Sequence, residues 1–204
     1  MISRKNIGLI ALVTPFWFIT VYLAISSQRP EYSHLTKAIS ELGSLDAPNL
    51  WFWNVLGYIL PGLAIVLLGI GLKQEFALAN QRALIPAFAL VASGVFMTMS
   101  GVFPGDFENR NSTTMILHTV GSLGSFVAFL VAGFWLPKVF RSRESWHWVA
   151  WPSLALVIAS IVAGFLRSGA APGLGQRVGF AFVFAWIGLV GYALMRSNSV
   201  ESDA

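Results

Sequence analysis

The sequence predicts an all-α membrane protein, a bundle of six transmembrane helices with a short amphipathic interfacial helix in the first outer loop. Of its 204 residues 56% are hydrophobic and 11% are charged, whereas soluble domains average about 25% charged residues. The apolar residues are gathered into runs close to the roughly 20 residues that cross a hydrocarbon layer of about 30 Å. These observations argue against a water-soluble core.

Six apolar segments are predicted to form the helices, at residues 7–26, 50–72, 84–103, 113–136, 148–165 and 178–195. We expect one transmembrane domain over residues 1–204, with no soluble domain. The first segment follows Arg4 and Lys5 and ends in small residues, as a signal peptide does, but it is long for one and contains Pro15 and Trp17. We therefore expect it to remain as the first helix.

The placement of basic residues predicts an inner (plasma) membrane protein with both termini in the cytoplasm. With a cytoplasmic N-terminus, eight Lys and Arg residues fall in cytoplasmic segments and five in outer segments, as the positive-inside rule requires. The cytoplasmic residues are Arg4, Lys5, Lys73, Arg82, Lys138, Arg141, Arg143 and Arg196. The outer residues are Arg29, Lys37, Arg110, Arg167 and Arg177.

The amphipathic helix is predicted at residues 32–43, between the first two apolar segments. At about 100° per residue one face carries apolar side chains and the other carries polar ones. The apolar set is Leu35, Ala38, Ile39 and Leu42; the polar set is Ser33, Thr36, Lys37 and Ser40, with His34 and Glu41 on its flank. Gly43 stands where a helix C-cap needs a positive φ. The polar face either meets water or covers a pocket between the membrane helices.

His118 is the most unusual residue within an apolar segment. It shares a helix face with Gly121, Ser122 and Ser125, a small and polar stripe suited to lining a cavity. An ionisable side chain inside a spanning helix is a candidate for a functional site because its burial is costly. The alternative is that His118 only makes a hydrogen bond to a neighbouring helix.

Two charged residues at the outer end either make contacts within the bundle or face its surroundings. Arg177, at the head of the last helix, is expected to pair with Asp106 or Glu41, or else to extend to the lipid headgroups. Asp106 follows the turn signal Pro104-Gly105, which would direct it over the mouth of the bundle. Otherwise Asp106 is a turn residue with its side chain in water.

A membrane-embedded hydrolase acting on lipid or a lipid-linked substrate is one function that these residues suggest. His118 would act as a base toward the hydroxyl of Ser40 or Thr36, with Asp106 as a third catalytic residue. A zinc ion held by His34, His118 and Asp106 or Glu41 is the metal-dependent version. No HxxxH or HxxE spacing supports a metal, so no cofactor is favoured.

The preferred function is binding without catalysis, in an outward-facing polar pocket for a lipid or small amphipathic molecule. His34, Glu41, Ser122 and Arg177 are the predicted ligand-binding residues. Membrane lipid is the expected partner, and a homo-oligomer is possible. Nucleic acid is not expected, because no Lys/Arg cluster with interleaved aromatic residues lies outside the apolar segments.

Three sequence elements carry a resemblance that covers essentially the whole chain. They are Ala38-Ile-Ser-Glu-Leu-Gly43, Gly101-Val-Phe-Pro-Gly-Asp106 leading to His118, and Gly173-Leu-Gly-Gln-Arg177. With these the chain resembles a bacterial and archaeal six-helix membrane family catalogued as domain of unknown function 998. The resemblance implies a multi-pass inner-membrane fold and the candidate positions Ser40, Glu41, Asp106, His118 and Arg177. It implies no reaction.

Overall fold

The computed structural model describes residues 2–76, 81–165 and 171–201, and these contain helices and no strand. Six of the helices are long and apolar enough to cross a membrane. They are α1 (Arg4–Ser26), α2 (Leu50–Phe76), α3 (Leu84–Val102), α4 (Thr113–Phe140), α5 (His147–Phe165) and α6 (Pro172–Glu201). Short 3-10 turns lead into α3 and α5. The predicted all-α fold class with six spanning helices is confirmed.

The predicted segments agree with the helices except at their ends. The third segment overruns α3 by Phe103, and α4 continues to Phe140. The largest difference is at α6, which starts at Pro172 rather than at residue 178. Proline is favoured in the first turn of a helix, so this polar, glycine-rich stretch begins the helix before the apolar run does. Arg167, predicted in the loop before α6, lies outside the described residues.

The helices form a ring in which each contacts the next along the chain, and α6 returns to pack against α1. Glycines allow close approach at some crossings. A Cβ added at Gly94 of α3 would lie 2.4 Å from the carbonyl oxygen of Gly62 in α2. This agrees with the small-residue contacts expected between membrane helices.

The two ends of the bundle are named after a residue that lies at each. The Glu75 end holds the starts of α1, α3 and α5, and the Arg177 end holds the starts of α2, α4 and α6. The loops at residues 27–49 and 103–112 lie at the Arg177 end.

Aromatic side chains fill the bundle between α1, α2 and α6. Phe18 stacks on Phe184 with ring centroids 4.2 Å apart, and its ring meets the edge of Trp53 at 5.8 Å. Trp53 is completely buried. Toward α4, Phe129 packs against Trp186 of α6 with ring centroids 5.3 Å apart.

The helix predicted at residues 32–43 is shorter than expected. Only Ile39–Gly43 is helical, as a 3-10 helix, and residues 34–36 form a turn. Ile39 and Leu42 are buried, but Leu35 is 56% exposed. The backbone of this segment bonds to α6 as well as to itself: Gly173 N donates to Leu35 O at 2.8 Å, and Ile39 N donates to Gln176 Oε1 at 2.6 Å.

Gly43 does not adopt the positive φ that a C-cap would need. Its role is to provide space, because an added Cβ would lie 2.5 Å from Trp53 Cδ1 and 2.7 Å from Asn54 Oδ1. Asn54 Nδ2 also donates to the carbonyl of Gly43 at 2.8 Å. The glycine therefore lets the 3-10 helix lie against the start of α2.

Candidate functional site

A cavity of about 340 Å³ lies inside the ring, between α2, α3, α4, α5 and α6. Its described walls combine hydroxyl and amide groups with large apolar side chains. The polar members are Tyr58, Ser93, Ser100, Thr119, Ser122, Ser125, Ser160 and Gln176. The main apolar members are Ile65, Met97, Leu123, Phe126, Phe129, Phe180, Val183 and Phe184. Its volume is within the range of about 300–1,000 Å³ typical of small-molecule sites.

Polar groups are concentrated toward the Arg177 end of this cavity. Ser100 Oγ lies 3.0 Å from Ser122 Oγ, and both hydroxyls donate to the main-chain carbonyl of His118, at 3.1 and 3.0 Å. Phe129 lies seven residues farther along α4 than Ser122, which is about 10 Å deeper at 1.5 Å per residue. The Arg177 end of the cavity is therefore the more polar one, while at the deeper end the rings of Phe126 and Phe129 lie beside the two serines Ser93 and Ser125.

The wall of the cavity is thin between α4 and α5. Leu123 lines the cavity and is also 62% exposed on the outside of α4. Gly164 of α5 also lines the cavity, and an added Cβ there would meet no atom of the described residues within 4 Å. The outer side of this wall is apolar, with Leu123 and Phe165 exposed, as expected of a surface that a membrane would cover.

The wall contributed by α2 includes a π-helical stretch, Asn54–Ile59. Such stretches are often found at functional sites, because the extra residue redirects side chains. Tyr58 of this stretch lines the cavity, and its ring meets the edge of the His118 ring with centroids 5.9 Å apart.

His118 is buried, but its ring is not part of the described cavity wall. Its Nδ1 lies 2.9 Å from Ser100 O and 3.0 Å from Phe103 O. Because both neighbours are carbonyls, Nδ1 carries the proton and donates it to them. These contacts fix the end of α3 to α4.

The three small residues on the same helix face as His118 have two different roles: one packs against α3 and two line the cavity. A Cβ at Gly121 would lie 2.8 Å from Phe96 O, so α3 presses directly on this glycine. Ser122 and Ser125 line the cavity instead. Ser122, predicted as a ligand-binding residue, is thus the candidate that the cavity contains.

The other candidates on the two loops have separate surroundings. Asp106 Oδ1 accepts from the main-chain N of Asn109 at 2.9 Å, which stabilises the turn before α4. Glu41 Oε1 accepts from Ala38 N at 2.7 Å at the start of the 3-10 helix, and its other oxygen lies 4.0 Å from Lys37 Nζ. Ser40 is buried within that 3-10 helix. None of His118, Glu41 and Asp106 belongs to the described wall of this cavity.

The expected ion pair of Arg177 with Asp106 or Glu41 is wrong. Its guanidinium donates to the hydroxyls of Tyr22 and Tyr32 and to Lys37 O, the last at 2.9 Å. It also lies over both rings, 5.5 Å from the centroid of Tyr22 and 5.3 Å from that of Tyr32. The planar guanidinium meets several neutral acceptors at once, which replaces a carboxylate partner.

Each of the two tyrosines that contact Arg177 also makes a hydrogen bond to the first loop. Tyr32 donates its hydroxyl to Ala38 O at 2.9 Å, and burial raises the pKa of this phenol, so it stays protonated. Tyr22 hydrogen-bonds to Nδ1 of the exposed His34. His34 and Arg177 are therefore brought together through Tyr22, on the side of α6 that faces α1.

The zinc set is not assembled in the described part of the chain. No group of three or more His, Asp or Glu side chains comes together there in a way that could hold a metal ion. The hydroxyls of Ser100 and Ser122 bond to the main chain of His118 and not to its ring. Nothing in this arrangement resembles a nucleophile with its base.

Two features were not predicted from the sequence. Gln176 lines the cavity and also bonds to Ile39 of the first loop. At the opposite end, the buried Glu75 pairs with Arg4 and Arg143 and accepts from Trp146 Nε1 at 3.3 Å. The signal for Glu75 was available, because it is the single acidic residue between Asp46 and Asp106.

Comparison with known proteins gave one match. A family model described as "Protein of unknown function (DUF998)" matches residues 12–193. No curated protein and no solved structure matches the chain. The resemblance noted in the sequence is therefore confirmed over most of its length.

Proposed function

Since the chain belongs to the DUF998 family of proteins of unknown function, we propose from its own cavity that it binds a lipid or small amphipathic molecule within the membrane. The observation that carries this proposal is the cavity's polarity, with paired serines Ser100 and Ser122 at one end and Phe126 and Phe129 at the other. An amphipathic molecule has the same two-part character. Its polar group would lie toward the Arg177 end.

The thin wall between α4 and α5 supports access from the bilayer. A ligand that passes between Leu123 and Gly164 would reach the cavity without crossing water. Lipid chains are the molecules present in that position in a membrane. The opening is consistent with membrane lipid as the partner.

Orientation follows from the basic residues. Lys138, Arg141 and Arg143 lie at the Glu75 end, which supports a cytoplasmic location for that end and for both termini. The polar end of the cavity then faces the outer leaflet of the inner (plasma) membrane.

The hydrolase alternative has less support. Its proposed base, His118, uses Nδ1 to hold two carbonyls, and the proposed nucleophile Ser40 lies in the first loop. No bond between these two side chains is found among the described residues. Binding without catalysis accounts for the cavity and leaves His118 a positioning role.

The test is native mass spectrometry of the protein extracted in mild detergent, which reports bound lipid and oligomeric state together. In the variant Gly179→Leu a Cβ meets only Ser160 O and Ala163 Cβ, at 3.8 and 3.9 Å, so the added side chain can occupy the cavity. We expect this variant to bind the molecule about tenfold more weakly, a loss of roughly 1.4 kcal/mol in binding free energy. The control Val162→Leu changes an exposed residue of α5 outside the cavity wall. Equal lipid content in Gly179→Leu and the unaltered protein would contradict the proposal.

A further inference from the structure

We infer that the cavity selects an uncharged amphiphile whose polar end is a hydroxyl group, such as a long-chain alcohol, over acidic or cationic lipids. This inference rests on the proposed function and adds the chemical class of the ligand. It follows from which donors and acceptors the walls leave available.

The first observation is the absence of charge. The described residues of the cavity wall include no Asp, Glu, Lys, Arg or His. A charged headgroup in this cavity would lose its hydration and find no opposite charge among them, which is strongly unfavourable. An uncharged polar group avoids that cost.

The second observation concerns four of the five serines in the described wall, whose hydroxyl protons are already donated to main-chain carbonyls; the fifth, Ser125, has its Oγ 3.4 Å from Ser93 Oγ and can donate to it. Ser93 donates to Ser125 O at 2.9 Å, and Ser160 donates to Val157 O at 2.7 Å. Ser100 and Ser122 both donate to His118 O. What these groups can still offer a ligand is oxygen lone pairs, because a hydroxyl has one proton and two acceptor positions. The serines therefore act as acceptors.

The third observation is the amide of Gln176. Its Oε1 accepts from Ile39 N, and since that N–H can only donate, the amide orientation is fixed. Its Nε2 has no hydrogen-bond partner among the described residues, although Gln176 lines the cavity. Gln176 thus supplies a donor.

A hydroxyl group matches this combination better than an ester, a ketone or an ammonium group does. It donates its proton to a serine oxygen and accepts from Gln176 Nε2, whereas an ester or ketone can only accept and an ammonium can only donate. The hydrocarbon chain would extend from Ser122 toward Phe126 and Phe129. The cavity is in this sense a complement to an alcohol with an apolar tail.

Three photoreactive probes with one C16 chain and a diazirine at its middle test the inference. They differ only in the headgroup, which is a hydroxyl, a sulfonate or a trimethylammonium group. The protein is reconstituted in neutral lipid nanodiscs, irradiated with each probe, and digested to locate the labelled peptides. We expect the alcohol to label peptides containing Phe126 or Phe129 at least about tenfold more than either charged probe.

The variant Gln176→Glu removes the donor and keeps an oxygen for Ile39 N. We expect it to reduce labelling by the alcohol about tenfold. The control Gln28→Glu makes the same change at the same end of the bundle, where Gln28 Oε1 accepts from Asn49 Nδ2 at 2.9 Å, and should leave labelling unchanged. Should Gln176→Glu fail to fold, the comparison of the three headgroups on the unaltered protein still tests whether the cavity selects a hydroxyl over a charged group.

The outcomes separate the two proposals. Equal or stronger cavity labelling by a charged probe overturns the selection for a hydroxyl and leaves lipid binding in place. If no probe labels the cavity peptides above the level in Gly179→Leu, the proposed function itself fails. Labelling by the alcohol that is unaffected in Gln176→Glu refutes the role of this residue.

Discussion

Glu75 at the end of α2 forms an ion pair with Arg4 at the start of α1, with Glu75 Oε2 2.5 Å from Arg4 Nη1. The other carboxylate oxygen accepts from Arg143, just before α5, and from Trp146. One buried carboxylate therefore joins three chain segments at the Glu75 end. The negative end of the α2 dipole would repel this carboxylate, so its partners are needed to hold it there.

We predict that Glu75→Gln lowers the free energy of unfolding by about 2 kcal/mol. Breaking a buried ion pair costs about 3–5 kcal/mol, and the value is reduced here because both arginines are partly exposed. Chemical denaturation in detergent measures the change. Glu144→Gln, an exposed acid at the same end, is the control and should have little effect. Equal stability of both variants would show that the cluster is not a stabilising contact.

Arg177→Lys is predicted to loosen the first loop. A lysine cannot reach Tyr22, Tyr32 and Lys37 O together, because its ammonium lacks the planar fork of the guanidinium. We expect faster proteolysis within residues 27–49, with the spanning helices intact. Arg110→Lys changes an exposed arginine at the same end and should leave the cleavage rate unaltered. Unchanged proteolysis of Arg177→Lys would mean that one hydrogen bond is enough to hold the loop.

Gly43→Ala is predicted to destabilise the protein by about 1–3 kcal/mol, the usual cost of adding a methyl group to a packed site. The added Cβ would overlap the Trp53 ring and the Asn54 amide. Gly164→Ala is a matched control, since its Cβ meets no described residue within 4 Å. Thermal unfolding of the two variants compares them. A harmless alanine at position 43 would show that the loop can move away from α2.

The six helices were predictable because a bilayer requires each spanning segment to be long, apolar and internally hydrogen-bonded. The first loop was not predictable by the same periodicity. Two of its backbone groups, Leu35 O and Ile39 N, bond to α6, and such partners are distant in sequence. An amphipathic pattern therefore predicted a helix where tertiary contacts produce a turn and a 3-10 helix.

The candidate site was predicted in part. Ser122 was found because helical periodicity places it on an inward stripe. Gln176 was missed because its side chain both bonds to Ile39 of the first loop and lines the cavity, and only the folded structure brings these two regions together. The pairing proposed for Arg177 failed because charge alone did not reveal two tyrosine hydroxyls as acceptors.

Orientation is predicted with the Glu75 end in the cytoplasm. The chain contains no cysteine, so single cysteines at Ser142 and Asn109 report the two ends cleanly. In intact cells an impermeant thiol reagent should label the cysteine at position 109 and not the one at position 142. The reverse pattern would place the polar end of the cavity toward the cytoplasm.

The most direct test of the cavity's role is an experimental structure of the protein purified with its native lipids. Our account predicts elongated density that is not protein, with one end near Gln176 and Ser122 and the other beside Phe126 and Phe129. Side chains closing this space, or density confined to isolated waters in it, would contradict binding of an amphipathic molecule.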